Sequence, residues 1–163
     1  MQTSHMGAEV KREIQGVAIR AMLPADAARV VKLLEEAPEA ANWSRESLEE
    51  LTNSAGGLAL VNEADGEISG FFVGRQVVDE AEILNLGVAR ARRRRGDGGA
   101  LLRAAMDELR VRGVSRVFLE VRESNEAGIA FYTKHEFAKT GKRPAYYRDP
   151  VEAAILMEKK LGG

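Results

Sequence analysis

The stretch "LGVARARRRRGDGGALL", residues 86–102, decides the reading of this chain. Five arginines fall in the six positions from Arg90 to Arg95, broken only by Ala91, and glycines follow at Gly96, Gly98 and Gly99. Three interpretations compete: a nucleic-acid patch, a phosphate cradle, or a charged surface loop that contains glycine. Composition weighs against the first. The 163 residues carry 24 basic and 25 acidic side chains, a formal net charge of −1, whereas a dedicated nucleic-acid binder usually has a basic domain. The cluster is a local feature of a nearly neutral protein, so it needs a local cause.

The length fits one domain with a core large enough to fold without staples. Apolar residues at 45% and charged residues at 30% are the profile of a soluble globular protein. Cysteine is absent, which rules out disulfides, thiolate metal sites and a thiol nucleophile. No run approaches the roughly 18 apolar residues of a membrane span. "MQTSHMGAEVKREIQG" lacks the apolar centre of a signal peptide, and its "SHM" looks like an expression-vector remnant. Residues 1–13 are accordingly set aside as tag-like, 14–163 are read as the folded domain, and the expected compartment is the cytoplasm.

Working outward, "AEILNLGV" (81–88) reads as a strand entering the Arg/Gly stretch, and "GALLRAAMDELRVRG" (99–113) as an amphipathic helix leaving it. Upstream, "VAIRAML" (17–23) alternates like a strand, and Pro24 opens a helix over 25–37. A second helix is capped by Ser44 and ends near Gly56. Residues 58–78 form two strands turned at Asp65-Gly66. Downstream come a strand (114–122), a short helix opened by Asn125, and two closing antiparallel strands. The order β-α-α-β-β-β-α-β-α-β-β implies an α/β (α+β) domain, a mixed, mostly antiparallel sheet of about seven strands with about four helices.

Strand, glycine-rich turn, helix is the arrangement that aims free backbone N–H groups and the helix dipole at an anion. The spacing is neither the dinucleotide fingerprint, which needs a third glycine, nor a P-loop, which needs a following Lys-Ser/Thr. Arg93-Arg94-Arg95-Gly96-Asp97-Gly98 does match Q/R-x-x-G-x-G/A. With that motif the chain resembles the GCN5-related N-acetyltransferases (GNAT), which bind the pyrophosphate of acetyl-coenzyme A there. "FLEVRESNEAGIAFYTKHEF", "NWSRESLEEL", "DEAEILNLGV" and "AYYRDPVEAAILM" resemble blocks of the bacterial ribosomal-protein-alanine N-acetyltransferases, in order, over about residues 17–160. Three positions depart from the pattern. Asp97 puts a negative charge in the pyrophosphate loop, Glu136 replaces a helix-ending glycine, and Asn42 replaces a proline.

The resemblance implies a set of site residues. Backbone groups of Leu86 and Val88 hold the pantetheine arm, with Gly87 between them also in the cofactor site, and Arg93, Arg94, Arg95, Gly96, Asp97, Gly98 and Gly99 form the phosphate loop, with Asn125 and Tyr132 also touching acetyl-CoA. Arg90 and Arg92 lie outside the motif, either solvated or near the 3′-phosphate. Glu120 falls on the family's general base and Tyr132 on its general acid. Trp43, Tyr146 and Tyr147 frame the acceptor groove. Read from the residues alone, Glu120 is equally a strand carboxylate facing a base, Tyr132 a core aromatic and Asn125 a helix cap. Trp43 and one tyrosine are equally core residues. His5 and His135 show no metal-ligand spacing, so no metal is expected.

The expected reaction is acetyl transfer to a primary amine, foremost the N-terminal alanine of a ribosomal protein, by direct attack in a ternary complex. A small-molecule amine or a lysine is the alternative acceptor, and an RNA- or ribosome-binding scaffold the non-enzymatic one. The expected assembly is a monomer or weak dimer without membrane or nucleic-acid partners.

Overall fold

Phe71 and Phe72 are adjacent in sequence and both fully enclosed. Neighbouring side chains on a strand point to opposite faces of its sheet, so such a pair requires a core on each side. A computed structural model, describing residues 12–14, 17–36 and 43–162, shows this arrangement. The strands are β1 (Arg12–Ile14), β2 (Val17–Ala21), β3 (Gly57–Ala64), β4 (Glu67–Val77), β5 (Glu80–Val88), β6 (Arg116–Arg122), β7 (Ala138–Tyr147) and β8 (Glu152–Lys160). They form one sheet in the order β1-β2-β3-β4-β5-β6-β8-β7. The helices are α1 (Ala27–Leu34), α2 (Arg45–Thr52), α3 (Asp97–Val111) and α4 (Glu126–Lys134). Phe71 packs with Val30, Leu48 and Leu51 of α1 and α2, while Phe72 packs with Leu101, Leu102 and Leu109 of α3. Each such enclosed side chain contributes about 1.5–3 kcal/mol.

The seven strands read from the sequence are all present. The short β1 adds an eighth at the sheet edge, pairing with β2 from Arg12↔Ile19 to Ile14↔Val17, and so begins inside the segment set aside as tag-like. The β3–β4 turn is the expected one, with Asp65 and Gly66 both at positive φ (55° and 79°). The first helix is shorter than 25–37. Residues 24–26 form a 3-10 turn, because the enclosed Asp26 carboxylate accepts from the Leu23 N–H (2.8 Å) and from Arg20 (2.7 Å). Asn42 lies outside the described residues, as does His5.

All neighbouring strands are antiparallel except β5 and β6, which α3 connects as a parallel pair. That pair is paired only from Glu80↔Arg116 to Glu82↔Phe118. Beyond it β5 stays with β4 as far as Val88↔Gly70, and β6 stays with β8 as far as Arg122↔Ala154. A register shift between β4 and β5 at Val73/Gly74 leaves Leu84 extra on β5 and bends that strand. The sheet therefore splits into a V, and the fold places its functional groove there.

Candidate active site

A groove of about 1040 Å³ runs along the split and over the start of α3. One wall begins with β5. The Ala89 N–H bonds to Ser69 O of β4, so by strand alternation the backbone groups of Leu86 and Val88 point into the split. Two side chains already engage those groups. Asn85 Oδ1 accepts from the Leu86 N–H (2.9 Å), and Arg93 Nε donates to Val88 O (3.1 Å).

The wall continues into the Arg/Gly loop. Gly96 caps α3 in the left-handed conformation (φ 86°), which an L side chain rarely adopts. The first helical bond runs from the Ala100 N–H to Gly96 O (3.0 Å). The amides of Asp97, Gly98 and Gly99 thus have no acceptor within the helix and stand at the positive end of its dipole. Asp97, the apparent misfit, is turned inward: it is buried, and both its oxygens are held by Arg92 (3.0 and 3.3 Å). A single arginine compensates it, so of the two expectations for Arg92 the solvated one does not hold: its side chain is 22% exposed and it lines the groove. Arg90 is exposed, and its backbone N–H donates to Glu36 (3.2 Å).

Helix α4 forms the opposite side of this cradle. Asn125 is its N-cap, with Oδ1 accepting from the Gly128 N–H (2.9 Å). A Cβ at position 128 would stand 2.6 Å from the Asn125 amide, so glycine there lets the cap close. Tyr132 packs edge-on between Phe131 and Phe137, on the face of the sheet that α3 covers, and burial pushes its hydroxyl pKa up. His135 also lines the groove, 4.8 Å from Phe131, with its pKa lowered by burial and by nearby cations.

Glu120 belongs to the other face. In β6, Val117, Leu119 and Val121 enter the core beneath α3, so Phe118, Glu120 and Arg122 point the opposite way. The partner of Glu120 is not Arg122, which instead pairs with Glu152 (3.1 Å) and lies 4.3 Å over the Tyr147 ring. It is Arg143 of β7, at 3.4 Å, joined by the Tyr146 hydroxyl, whose pKa is raised by donating to that carboxylate. β7 reaches across because its register breaks between Arg143 and Tyr147, with Ala145 at φ 52°.

The structure therefore brings Leu86–Val88, Arg93, Arg94, Gly96–Gly99, Glu120, Asn125, Tyr132 and Tyr147 to one groove. Arg95 and Tyr146 stand outside its lining, although Tyr146 meets Glu120. Trp43 does not reach it and packs against the core between α1, α2 and the sheet. Sequence reading passed over Arg143, Glu82 and the Arg92–Asp97 pair. Only Glu82 left a signal, a carboxylate between the apolar Ala81 and Ile83 in mid-strand. Among the described residues, no group of three or more His, Cys, Asp or Glu side chains could hold a metal ion. Nor, among the described residues, is any helix long and apolar enough to cross a membrane.

Comparison with known proteins agrees with this geometry. A sequence model of the acetyltransferase (GNAT) family matches residues 27–137. The ribosomal protein bS18-alanine N-acetyltransferase of Escherichia coli K12 is 41% identical over 95 residues, which span 57% of this chain and 64% of that enzyme. The matched stretch is thus a little under two thirds of that relative's length. The corresponding enzyme of Haemophilus ducreyi is 32% identical over 129 residues, covering 76% of this chain and 87% of its own. The crystal structure of the Escherichia coli ribosomal-protein-S18-alanine N-acetyltransferase superposes with a TM-score of 0.82 at 31% identity, over 90% of this chain and 95% of that one. Matched by the family model over more than half its length, and with the split sheet and glycine cradle in place, this chain belongs to the GNAT acetyltransferase family.

Proposed function

We propose that this protein transfers the acetyl group of acetyl-CoA to the N-terminal α-amine of a protein, with an alanine-initiated ribosomal protein as the first candidate. The observation that carries the reading is that Tyr132 and Glu120 lie on opposite faces of the sheet, beside the opening where β5 and β6 part. A thioester lying in the split then has a phenol on one side and a carboxylate on the other.

The cradle fits the coenzyme. The amides at 97–99 and the helix dipole suit a pyrophosphate, and the inward-facing backbone of Leu86 and Val88 suits the amides of a pantetheine arm. For that arm to pair, Asn85 and Arg93 release Leu86 N–H and Val88 O. When bound, acetyl-CoA supplies an activated acyl group. Glu120 takes a proton from the attacking amine, whose electron pair forms the new C–N bond. Tyr132 gives its hydroxyl proton to the sulfur as the C–S bond breaks and leaves its electron pair there. Burial keeps the phenol protonated before the step, and a thiolate leaving into the same water-poor split is made more basic by the same cause. An α-amine has a pKa of about 8, so a carboxylate suffices as base. The chain has no cysteine, and direct attack needs no acyl-enzyme.

The test is acetyl-CoA turnover on peptides that differ in their first residue, with free polyamines and an internal-lysine peptide alongside. Alanine-initiated peptides are expected to be preferred, with Glu120→Gln and Tyr132→Phe each losing about 10²-fold or more in kcat/KM. Equal turnover of polyamines with no peptide turnover would sink the acceptor assignment. Full activity in both variants would sink the mechanism.

A further inference from the structure

The resident partner of Glu120 is a cation. Arg143 Nη2 of β7 stands 3.4 Å from its Oε2, and the same guanidinium lies 5.1 Å over the Tyr146 ring, whose hydroxyl reaches Glu120 as well. The carboxylate is recessed and the guanidinium lies outside it, their side chains being 19% and 56% exposed. Strand register shows that Arg143 reaches for this contact. Across β8, Glu120 is level with Leu156 and Gly141, while Arg143 is level with Ala154 and Arg122. Arg143 therefore leans back by two residues, over ground that Gly141 leaves clear for want of a side chain. Arg122, in the same row as Arg143, is committed to Glu152 and the Tyr147 ring.

Arg143 is also the last β7 residue paired with β8 before the register breaks, and pairing resumes only at Tyr147. Glu120 and Tyr147 line the groove, whereas Arg143 and Tyr146 stand outside its lining. Glu82 shares the face of Glu120 at the apex of the V, where Glu82↔Phe118 is the last β5–β6 pair. The guanidinium thus sits over the carboxylate from the rim, on the side where an acceptor amine must arrive.

We propose that Arg143 selects the acceptor: its guanidinium holds the amine's place on Glu120, and the acceptor that takes this place best is one carrying carbonyl oxygens for the displaced guanidinium. This rests on the reading of Glu120 as the base. A guanidinium has five N–H donors in a planar fork and stays charged throughout the working pH range. Moved off Glu120, it needs new acceptors or leaves those donors to water alone. The N-terminus of a peptide supplies them, since its first carbonyl is one carbon away from the amine. A lysine amine is held off from the nearest carbonyl by its four-carbon stem, and a polyamine brings no acceptor and a second positive charge that Arg143 repels. An ion pair this exposed is weak, so a peptide displaces it readily. The contact is a filter on acceptor chemistry and not a lock.

The experiment measures the KM and kcat of an alanine-initiated peptide and the competitive Ki of putrescine against it, in the parent, Arg143→Gln, Arg143→Lys and Lys142→Gln. The readout is the ratio of the putrescine Ki to the peptide KM, because removing the resident cation helps both amines while losing the fork harms only the peptide. Arg143→Gln is expected to lower this ratio about 10-fold with the peptide kcat unchanged, and Arg143→Lys, which keeps the charge without the fork, about 3-fold. Lys142 pairs with Glu123 at 2.7 Å, and its loss tests surface charge alone, so Lys142→Gln leaves the ratio unchanged. An unmoved ratio in Arg143→Gln, or an equal shift in Lys142→Gln, would overturn the proposal and leave Glu120 standing as base. A lower peptide kcat together with a lower melting temperature in Arg143→Gln would also overturn it, by showing that Arg143 only props β7. If instead Glu120→Gln is fully active, the underlying reading fails and the selection with it.

Discussion

The two walls of the groove are built from different materials. The donor wall uses backbone: strand amides of β5 and the open N–H groups of α3, drawn from the short stretch 86–99. Its charged side chains are spent on internal contacts, Arg92 on Asp97 and Arg93 on Val88 O. The acceptor wall uses ionisable side chains from β5, β6 and β7, distant in sequence and adjusted by one another's charge. Fixed dipoles bind a phosphate with little sensitivity to pH, whereas a cluster of carboxylates, phenols and an arginine is pH-sensitive by construction. Donor-wall changes should therefore move acetyl-CoA binding and leave the pH profile alone, and acceptor-wall changes should do the reverse.

The strongest attempt to break that division is Gly96→Val. The position has open space around it, so only its φ of 86° opposes a side chain. Relaxing that angle turns the 97–99 amides away from the pyrophosphate. The acetyl-CoA KM is expected to rise 10-fold or more, about 1.4 kcal/mol, with the peptide KM and pH profile unchanged. Gly98→Ala is the matched control, because a Cβ there meets Phe131 and Val88 at 3.5–3.6 Å, ordinary contact. If both substitutions have equal effect, side-chain bulk and not backbone angle governs the loop.

Next in size is Asp97→Asn. It keeps the shape but removes the charge from a buried partner of Arg92, whose own side chain is 22% exposed. The loss is expected to be about 1–2 kcal/mol of stability, below the 3–5 kcal/mol of a fully buried broken pair, seen as a lower melting temperature. A double-mutant cycle with Arg92→Met should return most of it as coupling. Additive losses would show that Asp97 stabilises the loop through the helix dipole alone.

On the acceptor wall, Glu82→Gln removes a charge from the apex of the V. Glu82 holds its proton more tightly in the folded than in the unfolded chain, so the folded state binds more protons above the unfolded value of 4.5. Stability is therefore lost as pH rises through that window. Glutamine removes the loss. The variant is expected to melt higher than the parent at neutral pH, and the gap should close as the pH falls below about 4.5. A gap independent of pH would mean that the Glu82 charge is solvated.

This contrast also explains what could be read in advance. The donor wall was legible because its requirements are local: a strand, a positive-φ cap, small residues and a helix, in register within fourteen positions. Even there the pairing of Asp97 was not, since six positions offered five arginines and only the three-dimensional turn selects Arg92. The core faces of β6 and α3 followed from periodicity, and so did the direction of Glu120. Its partners did not follow, because the sheet order β6-β8-β7 puts a strand between Glu120 and Arg143. Glu82 was passed over because its position at the apex depends on where β5 and β6 part, and nothing in the sequence around Leu84 marks the bulge there.

The smallest effect tests a place where the donor wall accepts a side chain in glycine's conformation. α4 ends at Lys134 with His135 as its C-cap, after which Glu136 sits at φ 73° while its N–H bonds to Thr133 O (3.0 Å) and the Phe137 N–H to Tyr132 O (2.9 Å). This is the Schellman ending that glycine favours, and a left-handed L residue costs about 1 kcal/mol. The Glu136 side chain is 84% exposed and reaches Lys159 only at 3.8 Å, a contact that contributes close to nothing. Glu136→Gly relieves the strain but gives the unfolded chain more freedom, leaving a net gain of about 0.5 kcal/mol. For a domain of this size that is a rise of about 1–2 °C in Tm, with both KM values and the pH profile unchanged. A fall in Tm would mean that the Lys159 contact outweighs the backbone cost. A changed acetyl-CoA KM would show that the turn helps to position Tyr132, one residue before the pair of carbonyl acceptors ends, and that the donor wall extends past the helix into its cap.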